Sequence, residues 1–177
     1  PPSADHYLFA LQPVLTVAIG NIGKTYGTDN SAILQGLAGA VTGLEPGVPG
    51  AFLGDTAASV YSGTPVITSA GSTAGAGVGA YPIIANFTVN DGYVIGASGT
   101  LTVTPASLLY NAIGVSRVYG TVNPILGGTV TGFANGDTLA SVTTGTLTFS
   151  STATQASGAG SYAIIGSGLS AANYILM

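Results

Sequence analysis

The chain has no cysteine, which removes disulfide frameworks and thiol chemistry together and is compatible with an exported bacterial protein without demonstrating export. Charge is almost as scarce. Two residues are Lys or Arg and six are Asp or Glu, 5% of the chain against about 25% in an ordinary domain. A formal charge of −4 with only two cations cannot neutralise a phosphate backbone, which argues against nucleic acid and anionic membrane surfaces as partners. Histidine occurs once, at His6 beside Asp5, too near the terminus to be held rigidly between a nucleophile and a carboxylate. Metal centres built from His and Cys fail by count. The six acids, Asp5, Asp29, Glu45, Asp55, Asp91 and Asp137, never gather at alternate positions of one loop as a calcium site requires. No two are spaced as a glycosidase pair. An enzyme is therefore not expected, and neither is a cofactor or a metal.

Long apolar runs are missing too. Mean hydropathy is +0.56, yet no stretch of about 18 apolar residues is free of Gly, Pro, Gln or Asn, so no transmembrane helix is expected. The 28 Gly follow no triplet period, which excludes collagen. Val, Ile, Leu, Tyr and Phe recur in short alternating runs that a disordered chain lacks.

What is present is a repeat. Lys24-Thr25-Tyr26-Gly27 returns as Arg117-Val118-Tyr119-Gly120, Thr42-Gly43-Leu44 as Thr131-Gly132-Phe133, and Gly54-Asp55-Thr56 as Gly136-Asp137-Thr138. Gly77-Val78-Gly79-Ala80-Tyr81 returns as Gly158-Ala159-Gly160-Ser161-Tyr162, and Gly92-Tyr93-Val94 as Asn173-Tyr174-Ile175. The separation falls from 93 residues at Tyr26 and Tyr119 to 81 at Tyr93 and Tyr174, so the upstream copy is longer, mostly between Gly27 and Asp55. Self-similarity at this period means two copies of one module of roughly 80 to 90 residues.

Short runs rich in Thr, Val and Tyr recur every eight to twelve residues in the second copy: Arg117-Val118-Tyr119, Thr129-Val130-Thr131, Thr146 to Phe149, Ser161 to Ile165 and Asn173 to Leu176. This spacing predicts an all-β protein of two tandem small antiparallel β-sandwich (Ig-like) domains. Asn135-Gly136 and Asp91-Gly92 supply positive-φ turns. Ser31 to Ala40 fits a short helix or a loop, and Ser69 to Gly79 a flexible hairpin end. Pro13 and Pro105 stand at the joints between strands. They divide the chain into an N-terminal strand (1–12), a first module with loop insertions (13–104) and a second (105–177). Residues Ser3 to Phe9 look like the last piece of a preceding module, and nothing before Met177 matches Leu101 to Thr104. The expectation is a second module short of its final strand, either in a longer array or in a subunit whose slot is filled by a neighbour's N-terminal strand.

Leu101-Thr102-Val103-Thr104-Pro105-Ala106, Arg117-Val118-Tyr119-Gly120 with Asn123-Pro124, Gly132 to Asp137, Gly160 to Ile164 and Ala171-Ala172-Asn173-Tyr174 together resemble the MBG (mostly beta, glycine-rich) modules found in tandem in large bacterial secreted and surface adhesins. The resemblance covers nearly all of the second module. The first lacks the Asn-Pro after Tyr26-Gly27. What it implies is an extracellular or cell-surface, all-β, structural or adhesive module without chemistry of its own.

Lys24 and Arg117 share a place beside Tyr-Gly, and Arg cannot form an isopeptide bond; an ion pair or aromatic stacking is expected for each, with Asp55 and Asp137 as partners. The recurring pairs Tyr26 and Tyr119, Tyr81 and Tyr162, and Tyr93 and Tyr174 predict core and corner packing with hydrogen-bonded hydroxyls. Asp55 and Asp137 are expected to hold turns through backbone N–H groups. Tyr7, Leu8, Phe9 and Leu11 are the candidate contacts to a neighbouring module or subunit. The expected partners are copies of the chain, or neighbouring modules, joined head to tail. The alternative is an adhesin domain binding a glycan or host surface through the first module's loops from Ser31 to Gly54.

Overall fold

The computed structural model describes residues 12–37, 39–44, 56–89 and 92–177. The first repeat contains β1 (Val14–Val17), β2 (Ile22–Thr25), α1 (Ser31–Gln35), β3 (Val41–Thr42), α2 (Ala57–Val60), β4 (Tyr61–Thr68), β5 (Gly79–Val89), β6 (Val94–Ile95) and β7 (Ala97–Thr104). The second contains β8 (Ala106–Ala112), β9 (Gly128–Thr131), α3 (Leu139–Val142), β10 (Thr143–Ser150), β11 (Ile165–Ala171) and β12 (Tyr174–Leu176). Strands dominate and each helix is about one turn, so the protein is mostly β, as the alternating apolar runs imply.

The repeats build the same sheets from the same positions. β1 lies between antiparallel β3 and parallel β6, with Leu15 opposite Ile95; β8 lies between antiparallel β9 and parallel β12, with Leu108 opposite Leu176. Leu15 and Leu108 are both fully buried. β4 pairs with β5 as β10 pairs with β11, and both pairs slip register beside a positive-φ glycine, Gly63 or Gly145. Thr42-Gly43 and Thr131-Gly132 also explain themselves. A Cβ on Gly43 would lie 2.1 Å from the Val14 carbonyl oxygen and one on Gly132 2.4 Å from that of Ser107, both at positive φ.

Thr56 and Thr138, the last residues of the two Gly-Asp-Thr copies, each cap a one-turn helix with a capping box, where only a turn was expected. In α2 the Ser59 N–H donates to Thr56 Oγ1 at 3.3 Å and the Thr56 N–H to Ser59 Oγ at 2.9 Å. In α3, Ser141 and Thr138 repeat the arrangement at the same distances. Ahead of α3, Asn135 and Gly136 both take positive φ and the Asp137 N–H donates to the Ala134 carbonyl at 2.8 Å, the tight turn expected there.

One compact unit comprises residues up to Ile22 with Asp29–Thr73 and Ala80–Thr102; the other comprises Gly23–Thr28, Ala74–Gly79 and Val103–Met177. The first unit's core is Val17, Leu34, Ile67, Ile83, Ala85 and Leu101, with Ile19, Ile22, Leu37, Val41 and Phe87 packed against it. Ser31 to Gln35 form a helix because Leu34 is drawn into that core, and α1 stops at Gly36. Ser69 to Ser72, expected to be flexible, are pinned. Ser72 is buried, its hydroxyl donates to the Ser69 carbonyl at 2.8 Å, and its carbonyl accepts the Asn30 N–H at 2.9 Å.

The repeats part company at one place. The first orders four strands as β2-β7-β5-β4, whereas among the described residues β11 has β10 as its one partner. Residues 115–118, at the position of β2, form no strand. The strand expected at Arg117 to Tyr119 is replaced by a turn in which the Thr121 N–H donates to the Val118 carbonyl at 3.2 Å. The physical reason is that β2 exists by pairing with β7, and residues 115–118 have no such neighbour among the described residues.

Candidate functional site

In the second unit, residues 113–127 and 151–164 run as irregular segments beside the two-stranded β10-β11 sheet. They enclose a groove of about 420 Å³ whose lining includes Val115, Arg117, Tyr119, Pro124, Tyr162 and Ile164. Arg117 holds the two segments together. Its Nε donates to Asn123 Oδ1 at 2.7 Å, one terminal nitrogen donates to the Val118 carbonyl and the other to the Thr154 carbonyl. Asn123 Nδ2 donates to the Ala153 carbonyl at 2.6 Å, and Gln155 Nε2 to that of Gly120 at 2.5 Å. Backbone that would otherwise belong to a ladder is thus satisfied by side chains. The apolar groups around it are open to solvent: Val118 is 76% exposed, Tyr119 69%, Val122 73% and Ile125 97%.

The first repeat's Tyr-Gly lies in different surroundings, also within the second unit. Tyr26 and Tyr174 are buried with ring centroids 5.3 Å apart at 78°, and Phe133 meets the Tyr174 ring at 6.2 Å. Both hydroxyls donate to Asp137 Oδ2, Tyr174 at 2.6 Å and Tyr26 at 3.0 Å, while the Ala134 N–H donates to the Tyr174 oxygen at 2.9 Å. Burial first, and then the hydrogen bond to Asp137 and its charge, push the Tyr174 phenol from 10.0 up to about 12. The raised value keeps the phenol protonated as the donor in its hydrogen bond to Asp137. A Cβ on Gly27 would lie 2.4 Å from that of Ala134, so the turn after Tyr26 needs glycine for closeness as well as for φ. At Gly120 a Cβ would meet nothing within 4 Å.

The part of the chain with this open Tyr-Gly turn matches a family model, the MBG domain (YGX type), over residues 108–177. Residues 108–177 are thus similar to the MBG domain. The match takes in most of β8 and all of β9 to β12, and with them the Tyr119-Gly120 turn, the Asp137 corner and the open edge of β11. Neither curated proteins nor solved structures gave a match to the chain.

The other expected site residues fall as follows. Tyr7, Leu8, Phe9, Leu11 and Asp55 lie outside the described residues, as do 45–54 of the loops considered for ligand binding. Tyr81 is half-buried with its ring against Gly71, and Tyr93 is half-buried. Tyr119 and Tyr162 were expected to pack as their first-repeat counterparts do. Within residues 108–177 both are exposed, and the Tyr162 hydroxyl donates to the nearby Gly158 carbonyl at 3.1 Å. Arg117 was expected beside Asp137; its guanidinium serves Asn123 and two carbonyls instead, because Asp137 faces the tyrosines. Asp137 likewise accepts tyrosine hydroxyls and not the backbone N–H groups assigned to it. Lys24 is buried and its ammonium donates to the Thr28 carbonyl at 2.8 Å.

Two features around residues 108–177 went unforeseen. Asn173 Oδ1 accepts the Val78 N–H at 2.9 Å, and Asn135 Nδ2 donates to the Ala74 carbonyl at 2.8 Å, both within the second unit. The signal was present in Asn173, which replaces Gly92 at its repeat position. Among the described residues, no three His, Asp or Glu side chains gather as a metal site would need, and no helix is long and apolar enough to cross a membrane.

Proposed function

We propose that this chain is a non-catalytic structural and adhesive module of an extracellular bacterial fibre or surface protein, built of two tandem Ig-like β-sandwich repeats that join neighbours end to end by strand pairing. The observation that carries it is the edge of β11 that has no strand partner among the described residues, where the first repeat has β7 in place between β2 and β5. An uncovered edge presents unpaired N–H and C=O groups, and proteins that keep such an edge generally cover it. The exposed apolar groups beside it, Val118, Val122 and Ile125 among them, suit the same purpose.

The chemistry agrees. Tyr174 holds its phenol proton more tightly than an ordinary tyrosine does. With two cations in 177 residues, neighbouring chains repel one another weakly and can pack closely. The match to the MBG domain supports the adhesin-like placement at the cell surface. Light scattering and electron microscopy of the purified chain over a concentration series test the proposal. End-to-end particles that lengthen with concentration are expected; a folded monomer at every concentration refutes assembly.

A further inference from the structure

We infer that the corner formed by Ala134, Asn135, Asp137, Asn173 and Tyr174 is a recognition site for the Tyr-Gly turn of a preceding repeat, filled in this chain by Tyr26-Gly27. The partner it fits is another repeat of the same kind, and the corner decides which repeat can stand directly before it. Such a joint lies inside one chain and is separate from any assembly between chains.

Sequence position and spatial position disagree at this turn. Residues 23–28 and 74–79 belong to the first repeat by sequence, yet both lie in the second compact unit. A turn that served its own repeat would pack there; this one packs with the repeat that follows.

Each feature of the turn is read by the corner. The Tyr26 ring is 8% exposed and meets the Tyr174 ring edge-on, and its hydroxyl donates to Asp137 Oδ2. Phenylalanine would fill the same space but take one of two donors from that oxygen. Glycine at position 27 is read by exclusion, since Ala134 Cβ occupies the space a side chain would need. The loop beside the turn is read through its backbone. The Ala74 carbonyl accepts the Gly27 N–H at 3.2 Å and Asn135 Nδ2 at 2.8 Å, and the Val78 N–H donates to Asn173 Oδ1 at 2.9 Å.

Two of these contacts need residues that the first repeat does not have. At the places of Asn135 and Asn173 it carries Leu53 and Gly92, neither with a side-chain amide. The grip on a neighbour's backbone is therefore a property of this copy and not of the shared fold. Backbone contacts tolerate changes in the loop's side chains, while the tyrosine hydroxyl and the missing Cβ set what is selected.

The test uses the full chain and reads amide hydrogen exchange residue by residue. Gly27→Ala is expected to raise exchange at the amides of residues 78 and 134 at least about tenfold, while those of Ile83 and Leu101, fully buried in the first core, keep their protection. Adding Ala134→Gly makes room for the new Cβ and is expected to restore most of the lost protection. Gly120→Ala, at a similar positive φ with nothing within 4 Å, isolates backbone strain and is expected to leave both amides unchanged. Tyr26→Phe, which keeps the ring and the fold, is expected to raise exchange at the same two amides severalfold, and Thr25→Val, at an exposed position, to change neither. If Gly27→Ala leaves residues 78 and 134 protected, or Ala134→Gly does not rescue it, the corner does not read the turn. If the first core opens to the same degree, Tyr26-Gly27 serves its own repeat and the recognition site falls.

Discussion

Replacing Asp137 tests the corner on which the second unit turns. Its carboxylate is the acceptor for two buried hydroxyls, at 2.6 and 3.0 Å. Hydrogen bonds to a charged acceptor contribute about 1.5 kcal/mol or more each, so Asp137→Ala is expected to cost about 3 kcal/mol. Asp137→Asn keeps a neutral acceptor and is expected to cost about half as much. Urea unfolding followed by tyrosine fluorescence reads both. A second, independent readout is alkaline titration. The Tyr174 phenol is raised from 10.0 to about 12 in the folded state. The folded form therefore holds its proton where the unfolded form releases it, so this contribution is complete below pH 10 and is lost as pH rises through about 12. In Asp137→Asn the phenol is expected to titrate lower, though above an ordinary tyrosine because burial, the larger cause, remains. Ultraviolet absorbance of the phenolate measures it. A loss under about 0.5 kcal/mol for Asp137→Ala, with every tyrosine titrating near its usual value, would refute the account.

Gly132→Ala places a Cβ 2.4 Å from the Ser107 carbonyl oxygen at positive φ, and is expected to destabilise by about 2 kcal/mol or more in a denaturant titration. Gly120→Ala, equally left-handed but with open space around it, is the control and is expected to cost about 1 kcal/mol. Leu101→Ala removes a fully buried side chain from the first core and is expected to cost about 3 kcal/mol by calorimetry. Ser141→Ala removes the half of the α3 capping box in which Ser141 Oγ accepts the Thr138 N–H and keeps the half in which the backbone N–H of residue 141 donates to Thr138 Oγ1, an expected loss of about 0.5 kcal/mol.

Most of the architecture was legible because two copies carry the same message. Strand periodicity marked β7, β8, β9, β10 and β12, and the Asn135-Gly136 turn forms as its residues require. What the sequence hid was partnership. Arg117-Val118-Tyr119 has the composition of a strand, but a strand is a property of a pair, and no partner among the described residues lies alongside. The same gap explains Tyr119 and Tyr162, whose repeat positions promised burial that depends on neighbours they lack. Asp137 misled differently: its place after Gly136 indicated a turn, while its acceptors' demand comes from Tyr26 and Tyr174, 111 and 37 residues away. The capping boxes were missed because serine stands at the position where Glu or Gln usually announces one.

That substitution has an environmental consequence. A carboxylate closing the cap would take up a proton below about pH 4 and lose its acceptor strength. Ser59 and Ser141 carry hydroxyls with no proton to gain or lose across the range a protein survives. The first turns of α2 and α3 therefore hold alike in acid and in base.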